Sequence, residues 1–157
     1  MSRSGLQYLE KTSEDVFGTS IDIPSALSRR TVETFLAGAA IVAGDWVALD
    51  LSESDSARAI QVVQATTAAG GNSLVIGVAL EAAAAAGDKI EVVTRGYVEG
   101  ANVTAATAAG ASLVVDATAG RADAAVAADI APPCGVTLEV AGGSNTADVY
   151  VYGLAVS

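Results

Sequence analysis

From Thr31 onward the chain alternates. "TVETF" (31–35) sets apolar against polar residues at a period of two. "DWVALDL" (45–51) places Trp46, Ala48 and Asp50 on one face, with Val47, Leu49 and Leu51 on the other. "AIQVV" and "KIEVVTRGYV" alternate again, "SLVIGVAL" reads as a buried strand, and "SLVVDA", "GVTLEV" and "ADVYVYGLAV" follow. Successive side chains on a strand point to opposite faces, so this period marks strands, and the Gly, Asn, Asp and Ser between them mark turns. The pattern predicts an all-β body.

The pattern also repeats. "IGVALEAAAAAGDKIEVVTRG" (76–96) and "CGVTLEVAGGSNTADVYVYG" (134–153) align Gly77 with Gly135, Glu81 with Glu139 and Ile76 with Cys134. "AAIVAGDWVALD" (39–50) resembles "TAATAAGASLVVD" (104–116), with Gly44 on Gly110. The first match has an offset of 135 − 77 = 58 and the second of 110 − 44 = 66, and the longer loop around "LSESDSARAIQ" absorbs the difference. Each half reads strand, loop, strand, crossing, strand. A solenoid needs three or more repeats, so two copies around a common core suit a small barrel or a sandwich.

Two alanine-rich stretches, "EAAAAAGDK" and "VTAATAAGAS", hold the strongest helix former. Helices this short are marginal without tertiary support, so the stretches are expected as crossings or single turns. The fold class is therefore β-rich with one or two short helices. Residues 1–30 are polar and mixed in charge, with Leu6, Tyr8, Leu9, Val16 and Phe17 scattered among them without a period. "SIDIPSALSRR" suits a short helical turn after Pro24. Isolated termini commonly stay disordered, but the large apolar residues favour an arm that orders on a neighbour. The expected organisation is an N-terminal arm, 1–35, and one barrel-like domain, 36–157, with the repeat at about 36–98 and 103–156.

Composition changes the picture in one respect. The chain is 52 % apolar, mostly Ala and Val, with one Trp, two Phe and four Tyr. Small side chains bury little area each, so such a body gains from oligomerising or from leaning on a larger partner. Charge divides unevenly. Residues 1–35 carry four cations against five acids (4 − 5 = −1), and residues 36–157 carry four against thirteen (4 − 13 = −9). An acidic body repels nucleic acid, and there is no basic stripe with interleaved aromatics, so no nucleic-acid partner is expected. "MSRSGLQYLEK" lacks the apolar core of a signal peptide. "FLAGAAIVAG" (35–44) falls short of the roughly 20 apolar residues that span a bilayer. A soluble protein made in a cytoplasm, with no membrane partner, is expected.

Candidate chemistry is sparse. The chain has no histidine, which removes Ser-His-Asp and Cys-His arrangements and the commonest metal ligand. Cys134, the one cysteine, follows Pro132-Pro133 and reads as a small buried hydrophobe that makes no intrachain disulfide. Glu81 and Glu139 hold matching places in the two halves. They offer either a glycosidase-like carboxylate pair or two solvated strand ends. Asp50, Glu53 and Asp55 in "DLSESDS" would offer oxygen ligands to calcium, but lack the spacing of an EF-hand, so an exposed acidic loop is expected. No glycine cluster forms a phosphate loop. No catalytic, cofactor-binding or metal-binding residue is expected, and no cofactor. Trp46 reads as core, while Tyr150 and Tyr152 share a strand face that would suit a glycan.

"AGAAIVAGDWVALD", "AIQVVQAT" and "VIGVALEAAAAAGDKIEVVTRGYV" together resemble the small head decoration, or cement, proteins of tailed bacteriophages. The matching positions are Gly44, Asp45, Val47, Ile76, Gly77, Val78, Ala79, Gly87, Asp88, Val92 and Gly96. The second half departs from the theme where Ala111 replaces the first Asp and "GGSNTAD" replaces "AAGDK". The resemblance implies a β-tulip or barrel-like domain, commonly trimeric and not enzymatic, bound outside a capsid where capsomers meet, with the major capsid protein as partner. It implies that the N-terminal arm grips the shell, which assigns capsid contact to Arg3, Leu6, Tyr8, Leu9, Val16, Phe17, Arg29 and Arg30. Two alternatives stand beside it: a head fibre or host-surface-binding module, and a hydrolase using Glu81 and Glu139.

Overall fold

A computed structural model describes residues 30–127, 129 and 131–153, together with the backbone of Ser13–Glu14 and Ser20–Ile21. Those two short segments, β1 and β2, pair antiparallel. The body holds β3 (Thr31–Ala37), β4 (Trp46–Leu49), β5 (Gln61–Gln64), β6 (Val75–Ala79), β7 (Lys89–Asn102), β8 (Ser112–Val115), β9 (Ala122–Ala124), β10 (Gly135–Thr137) and β11 (Thr146–Val151). Among the described residues the helix amounts to one 3-10 turn, Asp55–Ala59. The body is all-β.

These nine strands form one sheet in the order β3-β5-β4-β6-β7-β11-β10-β8-β9, and β3 also pairs with β7. That extra pairing closes β3, β5, β4, β6 and the first part of β7 into a five-stranded barrel. The closing ladder is antiparallel, from Thr31↔Arg95 to Leu36↔Lys89, while β3 meets β5 in parallel at Leu36↔Gln61 and Ala37↔Val62. The remainder of β7 pairs with β11, from Gly96↔Val151 to Asn102↔Thr146. A parallel bridge, Val103↔Ala122, brings β9 back beside the end of β7 and completes a second ring. One 14-residue strand thus serves both rings.

The repeat read from the sequence is a repeat of pairing. β4, β5, β6 and the first part of β7 correspond to β8, β9, β10 and β11, and β3 corresponds to the last part of β7. Bonds recur at matching positions. Leu80 N–H donates to the Glu91 carbonyl at 2.9 Å, and Leu138 N–H to that of Asp148 at 2.8 Å. Ala83 N–H reaches the Ile41 carbonyl at 2.9 Å, as Ala141 N–H reaches that of Thr107 at 2.9 Å. The loop between β4 and β5 covers residues 50–60, against 116–121 between β8 and β9, so the length difference lies where the sequence placed it. Gly77 and Gly135 mark a shared close approach. A Cβ would lie 2.3 Å from the Val93 carbonyl oxygen at the first, and 2.7 Å from the Tyr150 oxygen at the second. Any side chain there would push β6 off β7, or β10 off β11.

Alternation along β4 divides its side chains between two cores. Val47 enters the first barrel with Ile41, Val62, Ile76, Ile90 and Val92. Trp46 and Ala48 face the other way and join Val98, Leu113, Val115, Cys134, Val149 and Val151 of the second half. The buried indole comes within 2.9 Å of where a Cβ on Gly135 would sit, and its Nε1–H donates to the Asn102 carbonyl at 2.9 Å. Beside it Asp45, only 3 % exposed, accepts from Val42 N–H (2.8 Å), Gln64 Nε2 (2.6 Å) and Asn102 Nδ2 (2.6 Å). A buried carboxylate is costly unless bonded, and these donors come from both halves, so Asp45 fixes their relation. Gly120 leaves room for it, since a Cβ there would lie 2.7 Å from the carboxyl.

Two features differ in detail from the pattern reading, and a third, the turns of the alanine run, follows it. β3 straddles the expected 35/36 boundary, with its first five residues already in the barrel wall. β9, "ADA", was not anticipated. The alanine run after β6 forms turns, because the Asp88 carboxylate accepts from Ala84 N–H (3.0 Å) and Ala85 N–H (2.9 Å) and Ala83 bridges to Ile41. These bonds draw the backbone away from a helix. The helical turn expected after Pro24 falls outside the described residues.

Trp46→Ala is expected to cost about 3–5 kcal/mol, the range for deleting a large buried aromatic. Trp46→Phe, which keeps most of the volume, is expected to cost less. Urea unfolding followed by far-UV circular dichroism measures both, and equal midpoints for Trp46→Ala and the parent would contradict the junction described.

Candidate functional site

The carboxylates that offered chemistry act as braces. The Oε1 atom of Glu81 accepts from Glu91 N–H at 3.2 Å, and that of Glu139 from Asp148 N–H at 3.1 Å. Each ties the turn that follows the third strand of its own half to the neighbouring strand, which is the plainer of the two readings of the pair. In the acidic loop, Asp50 Oδ1 accepts from Ser52 N–H (2.9 Å) and Oγ–H (2.6 Å), while Glu53 Oε1 accepts from Gln61 Nε2 at 2.9 Å. Arg58 donates to the Glu53 carbonyl. Among the described residues no group of three or more Cys, Asp or Glu side chains is arranged to hold a metal ion. Asp116 is paired with Arg121. Burial would raise its pKa, but the guanidinium and the Ala117 N–H outweigh that and hold it below the usual carboxylate value.

Cys134 is buried at the position matching Ile76, with Sγ 3.4 Å from the Leu113 carbonyl. Burial pushes its thiol up to about 12, so the nucleophilic thiolate is suppressed. Trp46 is core, as its strand pattern implied. Tyr150 and Tyr152 stand with ring centroids 6.5 Å apart, Tyr152 being the more exposed. Tyr97 donates its hydroxyl to Asp148 Oδ2 at 2.6 Å, and Gly100 N–H reaches Oδ1 of the same carboxylate at 3.2 Å.

A concavity lies at one end of the first barrel. It is an open cleft of about 460 Å³ where β3 begins, β4 ends and β6 begins, floored by Phe35, Leu49 and Ile76 and rimmed by Glu33, Thr94, Arg95 and Tyr152. It brings together none of the residues considered for catalysis. At the matching end of the second ring the Trp46 indole packs in the core with Val98, Cys134 and Val151. Of the residues assigned to the arm, Arg3, Leu6, Tyr8, Leu9, Val16, Phe17 and Arg29 lie outside the described residues, and Arg30 is half-buried at the foot of β3. Neither the cleft nor Asp45 was singled out as a site from sequence. Asp45 did stand in the Ala-Gly-Asp-x-Val motif, and Ala111 at the matching place was its one visible signal.

The Tyr97–Asp148 bond generates an alkaline prediction. The bond to Asp148, then burial, then the negative charge of Asp148 raise the phenol from 10.0 to about 12. A raised folded-state pKa means that stability is fully present below the unfolded value and is lost as pH rises through the folded one. Stability should therefore decline between pH 10.0 and about 12, and Tyr97→Phe should remove that part of the decline. Urea midpoints taken across the window decide it; identical slopes in the two proteins would rule the linkage out.

No known protein family matches the sequence, and no curated protein does. Among solved structures, the chain is similar to the N base of the head fibre gp8.5 of bacteriophage phi29. The TM-score is 0.52 at 16 % identity, over 78 % of this chain and 93 % of that one. The two share a fold.

Proposed function

We propose that this chain is a structural protein of a bacteriophage head, mounted on the outer surface of the capsid as a decoration protein that stabilises the shell. The observation that carries this reading is the fold shared with a phage head-fibre base. The state of the polar side chains agrees with it, since the carboxylates matched between the halves brace turns. No reaction is assigned to the chain.

In this reading the barrels are the rigid body and the segment before Thr31 is the grip. Arg3, Leu6, Tyr8, Leu9, Val16 and Phe17 contact the major capsid protein, with Arg29 and Arg30 reaching acidic patches on the shell. Packaged DNA presses outward on capsomer junctions, and a trimer seated over a junction adds contact across the seam. Several arms on one trimer act together, which raises retention by about 10²–10⁴ over a single arm. The acidic body keeps virions apart in solution. A second reading, the base of a head fibre, is favoured by the same likeness, because the similar structure is itself a fibre base.

The test mixes the purified protein with undecorated expanded shells, with and without residues 1–30, which end just before β3. The full chain should co-sediment with shells and raise the temperature at which they release DNA or fall apart, and the truncated chain should be retained far less. Equal retention by both would remove the arm's role, and no retention by either would overturn the capsid reading. Binding without added shell stability would favour the fibre base.

A further inference from the structure

The contact between the two halves leaves its own counterpart unmade. In the intrachain junction, the first half's outward face (Trp46, Thr66, Leu80) packs on the second half's open end (Val98, Ala117, Gly120). Thr66 Oγ–H donates to the Ala117 carbonyl at 2.8 Å, Thr67 N–H to the Asp116 carbonyl at 3.0 Å, and Gly120 N–H to the Ala65 carbonyl at 2.9 Å. The strand registers fix what matches what. Val47↔Gln64 to Leu49↔Val62 in the first half repeats as Leu113↔Ala124 to Val115↔Ala122 in the second. Thr66 therefore corresponds to Val126, and Ala117 to Leu51. By the same registers Leu80 corresponds to Leu138, Gly120 to Ile60 and Val98 to Glu33, since Val98 pairs with Val149 as Glu33 pairs with the matching Val92.

Four of these counterparts are large apolar residues left in solvent, Leu51 at 57 % exposed, Val126 63 %, Leu138 50 % and Ile60 50 %, and the fifth, Glu33, is exposed on the cleft rim, whereas Val98 at the filled end is 2 % exposed. Among the described residues the second half thus carries an uncovered outward face, and the first half an uncovered open end, which is the cleft floored by Phe35, Leu49 and Ile76. The side-chain sizes are exchanged between the two. A large Trp46 shares its core with the small Ala101 inside the chain; at the matching places stand a small Ser112 and a large Phe35. The receiving strand also has a free edge. Leu36 N–H points to the Ile60 carbonyl at 2.8 Å, so the main-chain groups of Val32 and Thr34 share that direction. Pairing with β5 begins only at Leu36, so among the described residues no strand faces them.

We propose that a second copy of this chain covers the cleft, docking the outward face of its second half on the open end of the first half and repeating between chains the junction already made within each. The contact joins unlike faces, so successive copies close into a ring or run on as a filament. Nothing in it depends on the capsid reading, and its failure would leave that reading standing.

Cysteine pairing in the full-length protein tests it. Leu51→Cys in one tagged chain and Val126→Cys in another reproduce the Thr66–Ala117 contact across copies, and the buried Cys134 stays out of the exchange. Mixed under mild oxidation, they should give the tagged–untagged disulfide in excess over like–like pairs. A predominance of like–like pairs, or no linkage, would overturn the proposal, as would an intrachain disulfide in monomers of the doubly substituted chain. Leu51→Asp and Val126→Asp, both at exposed sites, should each weaken self-association about tenfold or more with the unfolding midpoint retained. Unchanged mass in solution for both would also overturn it.

Discussion

Everything in the body depends on β7 being held in common. A strand has two edges; the first ring uses both edges of β7 along 89–95, and the second uses one edge along 96–102 and closes through Val103, just past its end. The geometry that closes one ring therefore sets the starting line of the other. The junction residues fit this constraint: Asp45 draws donors from both halves, and Trp46 leaves the wall of one barrel to complete the core of the next. Small residues suit such narrow rings, where Val and Ala fill the inside and a single indole supplies the bulk at the seam.

Much of this was legible in the chain, for reasons of local physics. Period-two alternation, and for β6 a continuous apolar run, identified β3 to β8, β10 and β11, because their apolar runs are bounded by turn residues. β9 escaped because "ADA" is three residues long and has neither a β-branched nor an aromatic side chain. The matched glycines and glutamates marked the repeat correctly, since each serves a backbone contact that both halves need. What alternation could not supply was the partner of each strand. The parallel closure of β3 on β5 and the bridge from Val103 to Ala122 join residues far apart in sequence, and local pattern holds no record of them.

The candidate sites show the same division. That Trp46 would be buried followed from its strand, but that it would enter the other half's core followed only from which face of β4 looks outward. Cys134 was readable as inert from its aligned partner Ile76. The cleft was invisible because its floor residues, Phe35, Leu49 and Ile76, look like ordinary core positions. They are left open because, among the described residues, no side chain packs over them as Trp46 packs into the core of the second half.

The route by which the chain enters the body at Arg30 has a mechanical side. The chain passes from Arg30 straight into β3, whose antiparallel ladder with β7 runs from Thr31↔Arg95 to Leu36↔Lys89. Tension applied at Arg30 would be directed along that strand, across bonds that lie perpendicular to it. The load then falls on the whole ladder in shear, so the bonds resist together and are not peeled one at a time.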